Sequence, residues 1–284
     1  FAWSRVELIR FGPARAENLY ERLFFWPDPR GRGLQQIQEI IAKEDPAATS
    51  VDTLRGKSVA VQGLFALEYV LYGSGSDALI DPANQARSFR CRFGTAIAGA
   101  IAEAANEIVA GWTGPEGYAA LMLEAAAANP LYRSHGEVVQ ELIKSAREQL
   151  QLSRDLKLAH AIETSPDEAQ PKRAPFWRSD LTIASIRANI EAVNLLAGPD
   201  GIGASLPQEK AWIARELAFE LREADEVLGR VDEVDRWETV VRDPRKHEQL
   251  SYTLIPLADA IALLEGGYPD ALGLITGFNS LDGD

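Results

Sequence analysis

The chain is poor in the residues that most often carry chemistry. It has one cysteine, Cys91, and three histidines among 284 residues. One cysteine excludes an internal disulfide and leaves the redox compartment open. Set between Arg90 and Arg92 without an identifiable base, it reads as a free, half-buried thiol. Strand signals are scarce, with few alternating runs and no Val/Ile/Thr clusters bounded by hairpin turns. No solenoid-length repeat is present. The longest stretch without a charged residue, Ala271 to Leu281, contains Gly and Asn. It falls far short of the roughly 20 apolar residues of a membrane helix, so the chain reads as soluble with no transmembrane helix. Positive charge is in deficit: 29 Lys and Arg against 42 Asp and Glu, a net charge of −13. That balance repels phosphate backbones and anionic bilayers, so nucleic acid is not an expected partner; cations or basic partners are weakly favoured. H-E-x-x-H, G-x-S-x-G, Walker A and Rossmann patterns are all missing.

What remains is helical periodicity almost everywhere. Hydrophobic residues make up 46% and charged residues 25% of the chain, enough for a sizeable core in one large domain or two ordinary ones. Ile183, Ile186, Ile190 and Val193 recur at helical spacing up to Gly198-Pro199. Ser205-Leu206-Pro207-Gln208 has the pattern of a capping box opening the next helix, whose buried face continues through Ile213, Leu217, Leu221, Ala224 and Leu228. Further helices are expected over Trp3–Arg10, Ala14–Phe25, Leu34–Ala42, Asp52–Tyr72, Asn84–Trp112, Pro115–Ala128 and Ser134–Ala161. Gly94, Ala96, Ala98, Gly99 and Ala100 would let the Asn84–Trp112 helix approach its neighbours closely. Glu163 to Pro175, with three prolines among charges and little to bury, reads as a connection between two helical units, 1–164 and 165–284. The chain opens at Phe1 inside a helical pattern, so a processed or incomplete N-terminus is expected, with any export signal or lipid anchor upstream.

The most informative segment is Val59 to Gly73, VAVQGLFALEYVLYG. At 100° per residue Val61, Phe65, Glu68, Tyr69 and Tyr72 share one face, while Leu67, Val70 and Leu71 cover the other. A helix apolar all round is buried, and a carboxylate there must be paired, metal-bound or protonated. Glu68 is therefore either a ligand or acid/base group in a cavity lined by Tyr69 and Tyr72, or the ion-pair partner of an arginine.

The stretch Gln62 to Gly73 resembles the imelysin family of bacterial envelope proteins, whose motif is G-x-H-x-x-E followed by an apolar run and a glycine. Gly63 and Glu68 match, and Phe65 stands where the family has histidine. WSRVELIRFGPAR near the start, APFWRSDLTIASIRANI in the middle and GFNSLDGD at the end resemble the family too, in the right order. The resemblance implies an all-α fold of two four-helix-bundle-like domains with the motif near their junction. It also implies a periplasmic or membrane-anchored setting, a link to iron uptake or metal binding, and kinship with metallopeptidases. His and Glu at i and i+3 suit metal ligation from one helix face. Phenylalanine has no lone pair to offer, which leaves Glu68 as the single metal candidate of the motif.

Other candidates divide between a structural and a functional reading. His160 and Glu163 repeat the H-x-x-E spacing, but at a helix end that reads as frayed; His135 and His247 read as solvated. Glu7 and Arg10 read as a surface i, i+3 salt bridge, or, on the resemblance, as residues lining the cleft between domains. Ser179 or Asp180 reads as an N-cap, with an anion site beside Arg178 as the sharper alternative. Asn279, Asp282 and Asp284 read as an acidic tail, unless the family-like GFNSLDGD segment belongs to the site. The expected function is a non-catalytic, imelysin-like envelope protein holding a metal ion, such as iron or another divalent cation, or a small ligand. Glu68 would carry the binding, with Gly63, Phe65, Tyr69 and Tyr72 around it and Arg10, Arg178, Asn279 and Asp282 in second rank. The alternatives are a metallopeptidase and a scaffold that docks another envelope protein.

Overall fold

The computed structural model describes residues 1–80, 88–231 and 236–274. The fold is all-α: every regular element among the described residues is helical. The residues segregate into two compact units, each drawing on both halves of the chain. One comprises Phe1–Ile9, Leu121–Pro171 and Ile183–Asp284; the other comprises Arg10–Ala120 and Lys172–Thr182. The sequence-order division at 164/165 follows the chain, whereas these units follow contacts.

The second unit is built around the Phe89–Trp112 helix, capped by Ser88, whose hydroxyl accepts from the Cys91 amide. Cys91 is half-buried. Ile37, Leu54, Val61, Val70, Phe93 and Ile97 form its core. The small residues of the long helix do what their size permits. A β-carbon on Gly99 would lie 2.5 Å from Val51 Cγ2, and one on Gly94 would lie 3.2 Å from Val70 Cγ1. The single helix expected over Asp52–Tyr72 is broken into Val51–Leu54, a 3₁₀ turn Val59–Val61, and Leu64–Tyr72. The Ser58 hydroxyl caps the 3₁₀ turn by accepting from the Ala60 amide, and Gly63 adopts extended backbone before the last segment. Such capping offers the backbone an alternative to continuing the helix. Likewise, Ala14–Phe25 becomes a kinked 3₁₀ segment, Gly12–Asn18, followed by the Leu19–Leu23 helix.

The first unit packs the Trp212–Val231 helix along Pro244–Ala262. The latter is capped by the Asp243 side chain, which accepts from the Arg245 and Lys246 amides. The expected opening at Ser205 is displaced: short 3₁₀ turns occupy Ile202–Ser205 and Gln208–Lys210, and the helix proper begins at Trp212. The Ser134-capped helix runs from His135 to Gln151, then continues as a π-helical segment, Leu152–Ala159, and ends at Ile162. Extra residues per turn on this scale mark a position where something is inserted or satisfied at the expense of regular pairing.

That position carries Lys157, fully buried, as is Glu7. Lys157 Nζ donates to Glu7 Oε2 at 2.6 Å and to Asn189 Oδ1 at 2.8 Å. Asn189 Nδ2 donates to the Ser4 carbonyl at 2.6 Å and to Glu7 Oε2 at 3.0 Å. Ser4 and Ser185 hydroxyls meet at 3.0 Å. Glu7 is thus not part of a surface salt bridge, the first reading of its i, i+3 spacing with Arg10. Its counter-charge comes from 150 residues away, which no local pattern announces. His247 is also buried rather than solvated, its Nε2 donating to the Ile162 carbonyl at 2.9 Å. His135 and His160 are exposed. The segment from Glu163 to Pro175 buries more than its composition suggests: Ala169, Pro171, Ala174 and Pro175 are all buried, and the Pro171 carbonyl accepts from the Trp237 indole at 2.9 Å.

Candidate functional site

The Leu64–Tyr72 helix and the Lys172–Thr182 segment, both in the second unit, carry the candidate site. The helix start is fixed by Gly63. A β-carbon there would sit 2.4 Å from the Arg22 carbonyl oxygen and 2.5 Å from that of Leu23, so only glycine permits this backbone approach. The chain just beyond, at Phe24 and Trp26, is in turn tied to the second segment. Phe24 stacks on Phe176 with centroids 5.2 Å apart, and the Trp26 indole donates to the Arg173 carbonyl at 3.1 Å. Phe176 and Asp180 both have positive φ, 59° and 58°. Non-glycine residues there are uncommon and costly, and such strain concentrates at functional sites.

The strained turn aims two amides and a hydroxyl at one oxygen. Glu68 Oε1 accepts from the Arg178 amide at 3.0 Å, the Ser179 amide at 3.1 Å and the Ser179 hydroxyl at 3.0 Å. The Phe176 carbonyl lies 3.1 Å from the same hydroxyl, so a single proton has two acceptors in reach. Oε2 has a looser arrangement, with Arg178 Nη1 at 3.6 Å. Nη1 is buried and, among the described residues, has no acceptor within hydrogen-bond distance. The guanidinium lies against two aromatic faces, 4.4 Å from the Trp177 centroid and 5.3 Å from that of Tyr69. Burial pushes the Glu68 carboxyl above the usual range, opposed by Ser179 and Arg178. Burial also lowers Arg178 from its ordinary value, opposed by Glu68.

The arrangement is that of the ion-pair reading of Glu68, with Arg178 as the arginine, and the anion at the Arg178–Ser179 turn is Glu68 itself. Ser179 holds Glu68 instead of capping the next helix. Tyr69 is buried, and its hydroxyl accepts from Gln38 Nε2 at 3.1 Å. Tyr72 is 55% exposed and Leu71 45% exposed, so the helix is not buried all round: its last turn emerges into solvent. Phe65 is half-buried, edge-on to Phe25 with centroids 6.5 Å apart. Arg10 lies over the Tyr20 ring at 6.0 Å. Glu7 belongs to the other unit's polar core, and Asn279 and Asp282 lie outside the described residues.

Sequence inspection missed Arg90, which is buried and donates to the Val70 carbonyl at 2.9 Å and the Ser74 carbonyl at 2.6 Å. It satisfies the C-terminal end of the Glu68 helix, where free carbonyls and the helix dipole favour a cation. Its place between Ser88 and Cys91 on another helix gave no local hint of that role.

The imelysin family model matches residues 1–264, well over half the chain. The protein belongs to the imelysin family. Comparisons with curated proteins and with solved structures return no match. In this imelysin-family protein Gly63 stands at the N-cap of the Leu64–Tyr72 helix, and Phe65 and Glu68 lie within it. Among the described residues no group of three or more His, Cys, Asp and Glu side chains is arranged to hold a metal ion. No helix among them is long and apolar enough to cross a membrane.

The donor set around Glu68 does not suit a divalent cation. Three hydrogens already converge on Oε1, and the nearest charged group to Oε2 is a guanidinium. A cation would have to displace Arg178 and would find no imidazole at Phe65. Structural and catalytic zinc sites need at least three protein ligands.

Proposed function

We propose that this protein is a non-catalytic, envelope-located member of the imelysin family, facing the periplasm and acting in ligand capture connected with iron acquisition. Its ligand is a small polar molecule bound beside Glu68 and Arg178, with no ion bound to the motif carboxylate. One observation carries the reading: Arg178 Nη1 is buried and stands 3.6 Å from Glu68 Oε2, beyond hydrogen-bond distance, while Glu68 Oε1 is held by the Arg178 and Ser179 amides and the Ser179 hydroxyl. A buried donor without an acceptor costs about 1–3 kcal/mol, and a ligand oxygen that accepts from it recovers that free energy. Tyr69 and Trp177 supply the flat apolar walls that small-molecule sites combine with a few polar groups. A peptidase needs a metal with an open coordination position and a general base. Phe65 supplies neither, and Glu68 is occupied as an acceptor.

Thermal-shift and calorimetric screening against small carboxylates and iron-chelating hydroxy acids tests this, using the wild type, Glu68→Ala and Arg178→Met. The reading expects at least one compound to stabilise the wild type and to lose that effect in Arg178→Met. Chelator-sensitive proteolysis, or ligand binding untouched by either variant in a folded chain, would overturn it.

A further inference from the structure

The Arg32–Lys43 helix is fastened at its start by Asp28, whose carboxylate accepts from the Arg32 amide at 3.0 Å and the Leu34 amide at 3.1 Å. One face buries Ile37 in the core of the second unit. The adjacent face, Gln36, Glu39, Ile40 and Lys43 at i, i+3, i+4 and i+7, lines an open cavity of about 350 Å³. Asp45, Lys57 and Val61 of the same unit complete the lining. Small-molecule sites run from about 300 to 1,000 Å³. The lining is fixed locally. Asp45 accepts from the Ala47 amide at 3.0 Å and from Lys57 Nζ at 2.7 Å, and Ser58 caps the turn that carries Val61.

The charges that line the cavity are two carboxylates and two ammoniums, joined in one chain of alternating sign. Glu39 pairs with Lys43 one helical turn on, and Asp45 pairs with Lys57. The Asp45 carboxyl lies below its ordinary value, held there by the Lys57 and Ala47 hydrogen bonds, with the Lys57 and Lys43 charges adding to them. Ion pairs as exposed as Glu39–Lys43 add little to stability, so stability does not account for four charges gathered round a cavity. Among the described residues each pair uses one ammonium hydrogen, so each lysine keeps two donors and each carboxylate keeps lone pairs. Beside them Ile40 and Val61 supply an apolar surface.

We propose that this cavity binds a small zwitterion with an apolar side chain, of the class of the free aliphatic amino acids. Its ammonium takes Glu39 and Asp45, its carboxylate takes Lys43 and Lys57, and its side chain covers Ile40 and Val61. A ligand of one sign would meet two like charges at close range, a repulsion that confers specificity. A neutral apolar molecule would cover the same surface while stripping water from charged groups it cannot pair. The site is separate from the one beside Arg178 and does not rest on the reading of Glu68.

Calorimetric titration of the full chain with leucine at low ionic strength tests it. Saturable binding with a Kd of about 1 mM or below is expected. N-acetylleucine lacks the ammonium, leucinamide lacks the carboxylate and glycine lacks the side chain. Each should bind at least about tenfold more weakly than leucine. The preferences should divide between two surface variants. Glu39→Gln should narrow the gap between leucine and N-acetylleucine, and Lys43→Gln the gap between leucine and leucinamide. The two side chains are 55% and 69% exposed, so neither variant should disturb the fold. No saturable binding of leucine, equal binding of any analogue, or preferences unchanged in both variants would overturn the inference. Loss of leucine binding in Arg178→Met, with both cavity variants binding as wild type, would overturn it too, by giving the amino acid to the other site.

Discussion

Among the described residues two glutamates are buried, one in each unit, and they are held in opposite ways. Glu7 is matched by an ammonium at 2.6 Å inside a network in which Asn189, Ser4 and Ser185 satisfy the surroundings. Glu68 is gripped by one oxygen, and its counter-ion Arg178 stands 3.6 Å from the other, beyond hydrogen-bond distance. Burial is common to both; completeness is not. A closed polar network fixes how helices meet, while an open one retains hydrogen-bonding capacity for something else. Under the proposed function the contrast separates a structural carboxylate from one that pairs with the ligand-binding arginine.

The largest effect should come from breaking the closed pair. Lys157→Met leaves Glu7 as an uncompensated buried charge, and denaturant unfolding should show a loss of about 3–5 kcal/mol. The double variant Glu7→Leu/Lys157→Met should recover most of it. A single variant costing under about 1 kcal/mol would erase the distinction between the two glutamates. Next comes the frame of the open site. Gly63→Ala forces a β-carbon against the Arg22 and Leu23 carbonyls, and the resulting overpacking should cost about 1–3 kcal/mol.

Ser179→Ala removes one of three donors to Glu68 Oε1, and about 1 kcal/mol should be lost. The open site also has a pH signature. Because the folded Glu68 carboxyl lies above the ordinary 4.5, the folded chain holds that proton more tightly than the unfolded one. Its contribution to stability is therefore full below about pH 4.5 and is lost as pH rises through the raised folded value. Stability curves of wild type and Glu68→Gln should thus diverge across that window and run parallel above it. Parallel curves throughout would mean that burial does not govern Glu68. The smallest effect belongs to Arg5→Ala, which removes an exposed bidentate pair with Glu191. It should stay below about 1 kcal/mol.

How much of this was legible depended on whether the determining contacts were local. Helical class followed from periodicity, and the burial of Glu68 followed from its apolar neighbours on one helix. Gly94 and Gly99 were readable as close-approach positions because small residues clustered there. The break at Gly56–Gly63 was hidden because apolar periodicity ran on through it, while Ser58 and Gly63 ended the hydrogen-bond ladder locally. Glu7 spoke for a surface salt bridge because Arg10 was near in sequence, whereas Lys157 and Asn189 approach only in the folded unit. Ser179 carried an N-cap pattern, and the same hydroxyl chemistry serves Glu68, 111 residues away.

The central claim is that Glu68 answers to Arg178 and Ser179, leaving no place for a metal ion. Elemental analysis of the purified protein after soaking with iron(II) and with zinc, followed by desalting, tests it most directly. The account predicts no stoichiometric metal in the wild type and the same result in Glu68→Ala. One ion per chain in the wild type, absent from Glu68→Ala, would contradict it.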